Sequence, residues 1–337
     1  IAVSGHFEPG VPLVVQNANA TLDGGGTATL KVPAGTEYQL QLNAGWTGFS
    51  SAVNEGLLRL IGHTTIENDV ENRHRLQWES GNIVSANSSV ITNRDTLLVS
   101  TINNFTVGVR FVNEPGGLLW RIGGPNGNQT IPTAFENKDG AEVRIEPQMG
   151  LIFNGTLTNS GTMTINGGLT FRDATAQFSG DTLSGTGAVY LYGGIAVSGH
   201  FEPGVPLVVQ NANTTLDGGG TATLKVPAGT EYQMQLFAGW TGFSSAVNEG
   251  LLRLIGHTTI ENDVENLHRL QLESGNIVSA NSSVITNRDT LLVSTNNNST
   301  VGVRFVNEPG GLLWRIGGPN GTQTIPTAFD NKDGAEV

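Results

Sequence analysis

The chain has 337 residues, 46 of them Gly and none Cys, with a formal net charge of −12. That acidity excludes general binding to a nucleic-acid backbone, which rests on clustered Lys and Arg, and disfavours anionic membrane surfaces. The lack of cysteine excludes disulfide staples and Cys-based metal or nucleophile chemistry. Gly, Asn, Thr and Ser favour turns over helix, while Val, Ile, Leu and Phe recur at short intervals, so an ordered all-β protein is expected.

Residues 1–143 occur again at 195–337, a spacing of 194 residues. Nine positions differ between the copies: Ala20/Thr214, Leu40/Met234, Asn43/Phe237, Arg73/Leu267, Trp78/Leu272, Ile102/Asn296, Phe105/Ser299, Asn128/Thr322 and Glu136/Asp330. The chain therefore reads as a partial unit (1–143), a segment completing it (144–194) and a second partial unit (195–337). A period of this kind points to a modular, quasi-one-dimensional object. There is no initiator Met, no signal-peptide pattern and no apolar run of membrane-spanning length. The sequence is thus expected to be an excerpt from a longer tandem array, in which Val337 is followed by something like RIEPQMGLIFNGTLTNSG, the stretch after Val143. Of the differences, Leu40/Met234 keeps an apolar volume and fits a core site. The swaps Asn43/Phe237, Arg73/Leu267, Ile102/Asn296 and Phe105/Ser299 change polarity outright and are expected at exposed positions, because burying an unpaired polar group is costly.

Taken in chain order, IAVSGHF, PLVVQ, TATLKV and YQLQL alternate apolar with polar or small residues as half-buried strands do. RLQWESG, SSVITN, TLLVST and VGVRFV follow the same rhythm. Two stretches, 37–74 and 113–143, look too long and irregular for simple coils and are expected to be loops, lateral insertions or a small inserted β-sandwich. The segment 151–194 is the clearest, with short alternating runs at Thr162–Ile165, Leu169–Phe171 and Ala188–Leu191 punctuated by Asn166-Gly167, Ser179-Gly180 and Gly193-Gly194. Short strands and brief turns fit a sandwich, a barrel or a stacked solenoid, and the regularity favours a parallel β-solenoid. At the ~4.8 Å strand spacing and roughly 20 to 25 residues per coil, one unit would hold about eight to ten coils and rise about 40 to 45 Å.

GTLTNSGTMTINGG and SGDTLSGTGAVYLYGG resemble the Gly-Thr-Leu and Asn-Ser-Gly repeats of secreted bacterial β-helix proteins, including autotransporter passengers and filamentous-haemagglutinin-type adhesins. The likeness is strongest over 144–194. It implies a surface-exposed β-solenoid and transfers no functional residue.

Candidate chemistry is sparse. Arg59, His63, Glu67 and Asp69 carry groups used in polysaccharide cleavage, but no second motif fixes a carboxylate pair. Asp23-Gly24-Gly25-Gly26 and its copy Asp217-Gly218-Gly219-Gly220 are best explained as tight turns. Glu67-Asn68-Asp69 and Asn137-Lys138-Asp139 offer oxygen ligands for calcium, each short of a full set, so no cofactor is expected beyond that minor calcium reading. The histidines, paired as His6/His200, His63/His257 and His74/His268, lack zinc-motif spacing.

Trp46, Trp120, Trp240 and Trp314 are candidates for stacking on glycans. Ten Asn-X-Ser/Thr triplets, headed by Asn19, Asn87, Asn104, Asn128, Asn154, Asn213, Asn281, Asn297, Asn298 and Asn320, are candidate N-glycosylation sites. The expectation is a non-enzymatic extracellular or cell-surface protein whose units stack, by tandem linkage or self-association, into a fibre, stalk or filament. The alternative is an adhesin that binds glycans through loop aromatics, with avidity from repetition.

Overall fold

The computed structural model describes every residue except 1, 17–19, 42–43, 86–87, 101–104, 107, 124–127, 132, 173, 179–182, 199, 211–213, 236–237, 280–281, 295–298, 301, 317–322 and 325–327. The chain divides into two units, Ile1–Leu169 and Thr170–Val337. Each is a parallel β-solenoid, with about 13 turns in all. No helix among the described residues is long and apolar enough to cross a membrane.

In unit 1 a coil consists of short strands joined by bends, each strand pairing in parallel with its counterpart in the next coil. Phe135–Asn137, Glu142–Ile145 and Gly150–Phe153 make three successive sides. The first pairs with Thr156–Asn159 and the second with Thr162–Ile165 of the following coil. Alternation sends every second side chain inward, so like positions stack along the axis. One such stack runs Leu30, Ala52, Val70, Ile91, Phe111, Phe135, Leu157. Another, on the second side, runs Tyr38, Leu58, Leu76, Leu97, Leu119, Val143, Met163. All of these side chains are buried.

Two residues beyond the first stack lies a row of buried asparagines. In unit 1 the side-chain amide of Asn54 donates to Asn72 Oδ1 (2.6 Å), Asn72 to Asn93 (2.7 Å), Asn93 to Asn113 (2.8 Å), Asn113 to Asn137 (2.8 Å) and Asn137 to Asn159 (2.8 Å). Unit 2 repeats the ladder through the buried Asn248, Asn266, Asn287 and Asn307 to Asn331, which is exposed. The amides also donate to main-chain carbonyls at the bend, as Asn93 does to Asp95 O and Leu118 O. Successive ladder members in unit 1 are 18, 21, 20, 24 and 22 residues apart, which sets the true coil lengths.

The described residues of 37–74 and 113–143 form ordinary coils, which corrects the expectation of insertions or a sandwich there. Glu37–Gln41 and Leu57–Ile61 pair in parallel with strictly alternating burial. The alternation is hidden in the sequence because the outward positions of Leu57–Ile61 include Leu57 and Ile61 themselves. Gly45–Asn54 is one continuous strand that serves two sides by bending at Gly48, whose φ is +64°. A Cβ at Gly48 would lie 2.7 Å from Asp23 Oδ1, so the bend depends on glycine for space as well as for backbone conformation. The twelve-residue strand Thr21–Val32 pairs with Gly45–Asn54 through a register shift, and Thr215–Val226 pairs with Gly239–Asn248 in the same manner.

The ladder makes a graded prediction for single-site variants. Asn93→Ala removes a mid-ladder amide and leaves Asn72 and Asn113 each short of a buried partner, so it should cost about 3 kcal/mol or more in urea unfolding. Asn159→Ala, at the ladder's last described rung, should cost about half as much. Equal costs at the two positions would contradict a cooperative ladder.

Candidate functional site

The four tryptophan candidates separate into two classes. Trp46 and Trp240 are 0% exposed and lie inside the coils, where their Nε1 groups find no acceptor. Neither ring offers a face to a sugar, which corrects the glycan-stacking expectation for these two. The adjoining rings Phe49 and Phe243 are buried as well. Sequence alternation could not place them, because Gly45 and Trp46 are both buried at the start of a bent strand.

Trp120 and Trp314 point outward. Trp120 is half-buried on the second side, its Nε1 donating to Glu146 Oε1 (2.8 Å) and its ring facing the Arg144 guanidinium 5.9 Å from the centroid. One ring face is thus already occupied by a cation of the next coil. Trp314 is 55% exposed.

The oxygen-rich corners brace neighbouring coils. Asp23 Oδ1 accepts from Gly25 N (2.9 Å), and Asp217 Oδ1 from Gly219 N in the same geometry, at the register shifts inside the continuous strands Thr21–Val32 and Thr215–Val226, so these runs are irregularities within a strand where tight turns were expected. Glu67 accepts from Gly48 N (3.3 Å) and Asp69 from Val90 N (2.9 Å), each reaching a different coil. Asn68 Oδ1 is buried without a partner, as is Asn262 Oδ1. In the other calcium candidate, Asn137 is a ladder member and Lys138 pairs with Glu114 at 2.8 Å, leaving only the exposed Asp139 to solvent. Among the described residues no three His, Asp or Glu side chains are grouped to hold a metal.

The polysaccharide-cleavage candidates are likewise dispersed among structural contacts. Arg59 lies between Glu37 (3.0 Å) and Glu79 (2.5 Å), whose hydrogen bonds hold the guanidinium pKa above its usual value. His63 Nδ1 accepts from Asn82 N at 3.1 Å.

Two features escaped sequence reasoning. Arg121 points inward in the stack between Val99 and Ile145, is 0% exposed, and donates to the carbonyls of Val99 (3.2 Å) and Gly150 (3.3 Å) on neighbouring coils. Burial lowers its pKa to about 10, so it remains charged at neutral pH. The only sequence signal was an arginine at an inward position of LLWR.

The second is a surface ladder of alternating charge running from coil to coil. Lys31 bridges Glu8 and Glu55 at 3.1 Å each, Arg73 links Glu55 (3.4 Å) to Glu71 (2.7 Å), and Arg94 takes Glu71 (2.7 Å) on towards Glu114 (4.0 Å) and Lys138. In the second copy Lys225 bridges Glu202 and Glu249, and Arg288 pairs with Glu265. Between those pairs stands Leu267, 38% exposed, where the first copy has Arg73. This swap does occupy an exposed position, as its change of polarity implied. Positions 43, 102, 237 and 296, and the side chains of Phe105 and Ser299, lie outside the described residues.

Of the sequons, Asn128 and Asn154 are described and both are exposed. Asn19, Asn87, Asn104, Asn213, Asn281, Asn297, Asn298 and Asn320 lie outside the described residues. No protein-family model matches the chain, and no match was found among curated proteins or solved structures.

The charge ladder gives a pH-dependent prediction. Glu71 is held below the usual 4.5 by its hydrogen bond to Arg73, opposed by burial and aided by Arg94. A depressed carboxylate contributes stability that is present above its unfolded pKa and lost as pH falls through its folded pKa. Arg73→Leu should therefore lower the urea midpoint slightly at pH 7, and the difference from the parent chain should shrink below pH 4.5 and in about 1 M salt. A difference independent of both pH and salt would assign Arg73 a packing role instead.

Proposed function

We propose that the chain is a non-enzymatic segment of an extracellular or cell-surface fibre, stalk or filament, built by stacking near-identical solenoid units. The observation that carries this reading is the duplication of a whole coil stack, buried asparagine ladder included, with only nine substitutions. Coil-on-coil pairing has no intrinsic stopping point, so repetition of such a unit lengthens the object without altering its cross-section. The likeness of segment 144–194 to secreted bacterial β-helix repeats supports an extracellular location, and the exposed sequons Asn128 and Asn154 are compatible with one.

Cryo-electron microscopy of the native material tests this directly. Filaments with a layer spacing of ~4.8 Å along their length are expected. Discrete particles without that spacing would refute the fibre.

A second reading, a glycan-binding adhesin, is favoured by the outward placement of Trp120 and Trp314. Its expected signature is glycan-array binding that Trp120→Ala or Trp314→Ala reduces about tenfold or more. Binding unaffected by either substitution would remove these residues from the site.

A further inference from the structure

Strand Ala188–Tyr192 in unit 2 alternates strictly, with Val189 and Leu191 buried and Tyr190 and Tyr192 turned outward and half-buried. The strands that follow it, Leu207–Val209, Glu231–Gln235 and Leu251–Ile255, pair in parallel one after another, so this outer face belongs to coils stacked within the chain. Tyr192 is held in place: its hydroxyl donates to Gln210 Oε1 at 2.5 Å, and the Arg172 guanidinium lies 5.8 Å from its ring centroid. Register sets Tyr190 beside Val208, Val208 beside Gln233 and Gln233 beside Arg253. The glutamines are fixed as well. Gln235 Nε2 donates to Gln233 Oε1 and Gln233 Nε2 to Glu231 Oε1, each at 2.7 Å, while Arg253 donates to Glu231 (2.8 Å) and to Glu273.

We infer that the outward face of Tyr190, Tyr192, Val208, Gln210, Gln233 and Gln235 binds an uncharged, extended β-1,4-linked glycan. The inference rests on the second reading above, a glycan-binding surface, and gives it a site apart from Trp120 and Trp314. Aromatic rings offer faces to the C–H groups of a sugar, and the tyrosine hydroxyls and glutamine amides offer donors and acceptors to its hydroxyls. These side chains are already restrained, which lowers the entropy lost on binding. The charged groups of the face are engaged with one another, Arg172 on the Tyr192 ring and Arg253 between two carboxylates, and the chain carries a net charge of −12, so an anionic ligand is disfavoured. Successive coils advance by ~4.8 Å. That step is close to the length of one residue of an extended β-1,4 chain, so a glycan laid along the axis brings successive sugar rings over Tyr190, Val208 and Gln233.

Calorimetric titration of the intact chain with cellohexaose, mannohexaose and xylohexaose tests the site, with hexagalacturonate as the anionic comparison. Saturable binding of at least one uncharged hexamer is expected. Tyr190→Ala should weaken it about tenfold, Tyr190→Phe should preserve it because the ring remains, and Trp120→Ala and Trp314→Ala should leave it unchanged. A urea midpoint equal to that of the parent excludes unfolding as the cause of the loss in Tyr190→Ala. Binding that falls in the tryptophan variants and survives Tyr190→Ala would overturn this site while leaving the glycan-binding reading intact. No heat from any uncharged hexamer at millimolar concentration, or tighter binding of hexagalacturonate, would also overturn it. So would self-association of the parent chain that Tyr190→Ala abolishes, which would make a second copy the occupant of the face.

Discussion

The buried asparagine ladder is the constraint around which each solenoid is organised. A primary amide carries two donors and an acceptor with two lone pairs, and burial without partners would be costly. Inside the ladder the amides of Asn72, Asn93, Asn113 and Asn137 are each bonded to the amides above and below and to main-chain carbonyls at the corner, including those of the next coil, which requires neighbouring coils to stand in one register there. A slip of one residue would bring Val53 or Glu55 opposite Asn72 in place of Asn54, and break the chain of bonds. The corner is therefore fixed, and variation in coil length from 18 to 24 residues is absorbed at the other bends.

Fixing one corner also explains which substitutions the duplicated segments tolerate. Trp78 is buried and donates through Nε1 to Gly81 O at 2.6 Å, yet the second copy has Leu272 there, still only 4% exposed. Leu40 and Met234 exchange one buried apolar side chain for another. These apolar stacks are held by dispersion and burial, which depend on volume far more than on direction. The ladder depends on direction, and none of its members differs between copies. The surface charges occupy a third position: exposed ion pairs contribute little individually, and one link, Arg73, is replaced by Leu267.

The all-β, parallel solenoid was legible in 144–194 because small polar residues stand at the outward positions and the period of two is plain. It was obscured in 37–74, where outward Leu57 and Ile61 mask the alternation and Gly48 lets one strand serve two sides. The ladder had a visible trace, an Asn at the strand end followed by a turn, in Val53-Asn54-Glu55, Glu71-Asn72-Arg73, Thr92-Asn93-Arg94 and Val112-Asn113-Glu114. Its meaning was not readable, because Asn is equally at home in exposed turns. Arginine at an inward position and tryptophan at the start of a bent strand likewise carry no sequence signal of burial, so nothing in the pattern marks Arg121 as inward or separates Trp46 and Trp240 from Trp120 and Trp314 as candidates for stacking on glycans. Both depend on which coils lie next to them, information that a linear pattern does not hold.

The ladders also have a direction. From Asn54 to Asn137, and from Asn248 to Asn307, each amide donates to the rung of the next coil, so each ladder begins with an acceptor facing the coil before it. At Asn54 and Asn248 that acceptor is buried and unpartnered, and the residue paired with each is a valine, Val32 or Val226. The second case shows that the defect is not a consequence of an open end, since Asn248 is covered by the strand Thr215–Val226. An unsatisfied buried carbonyl costs on the order of 1–3 kcal/mol, and the sequence incurs that cost in both copies. The coils preceding Asn248 are instead packed by aromatic rings, with Phe171 5.9 Å from Phe178 and Phe178 5.4 Å from Phe201. Apolar coils of this kind leave register to strand pairing, whereas the amide ladder specifies it. In unit 2 the two follow in succession, so the register specified by amides begins at Asn248.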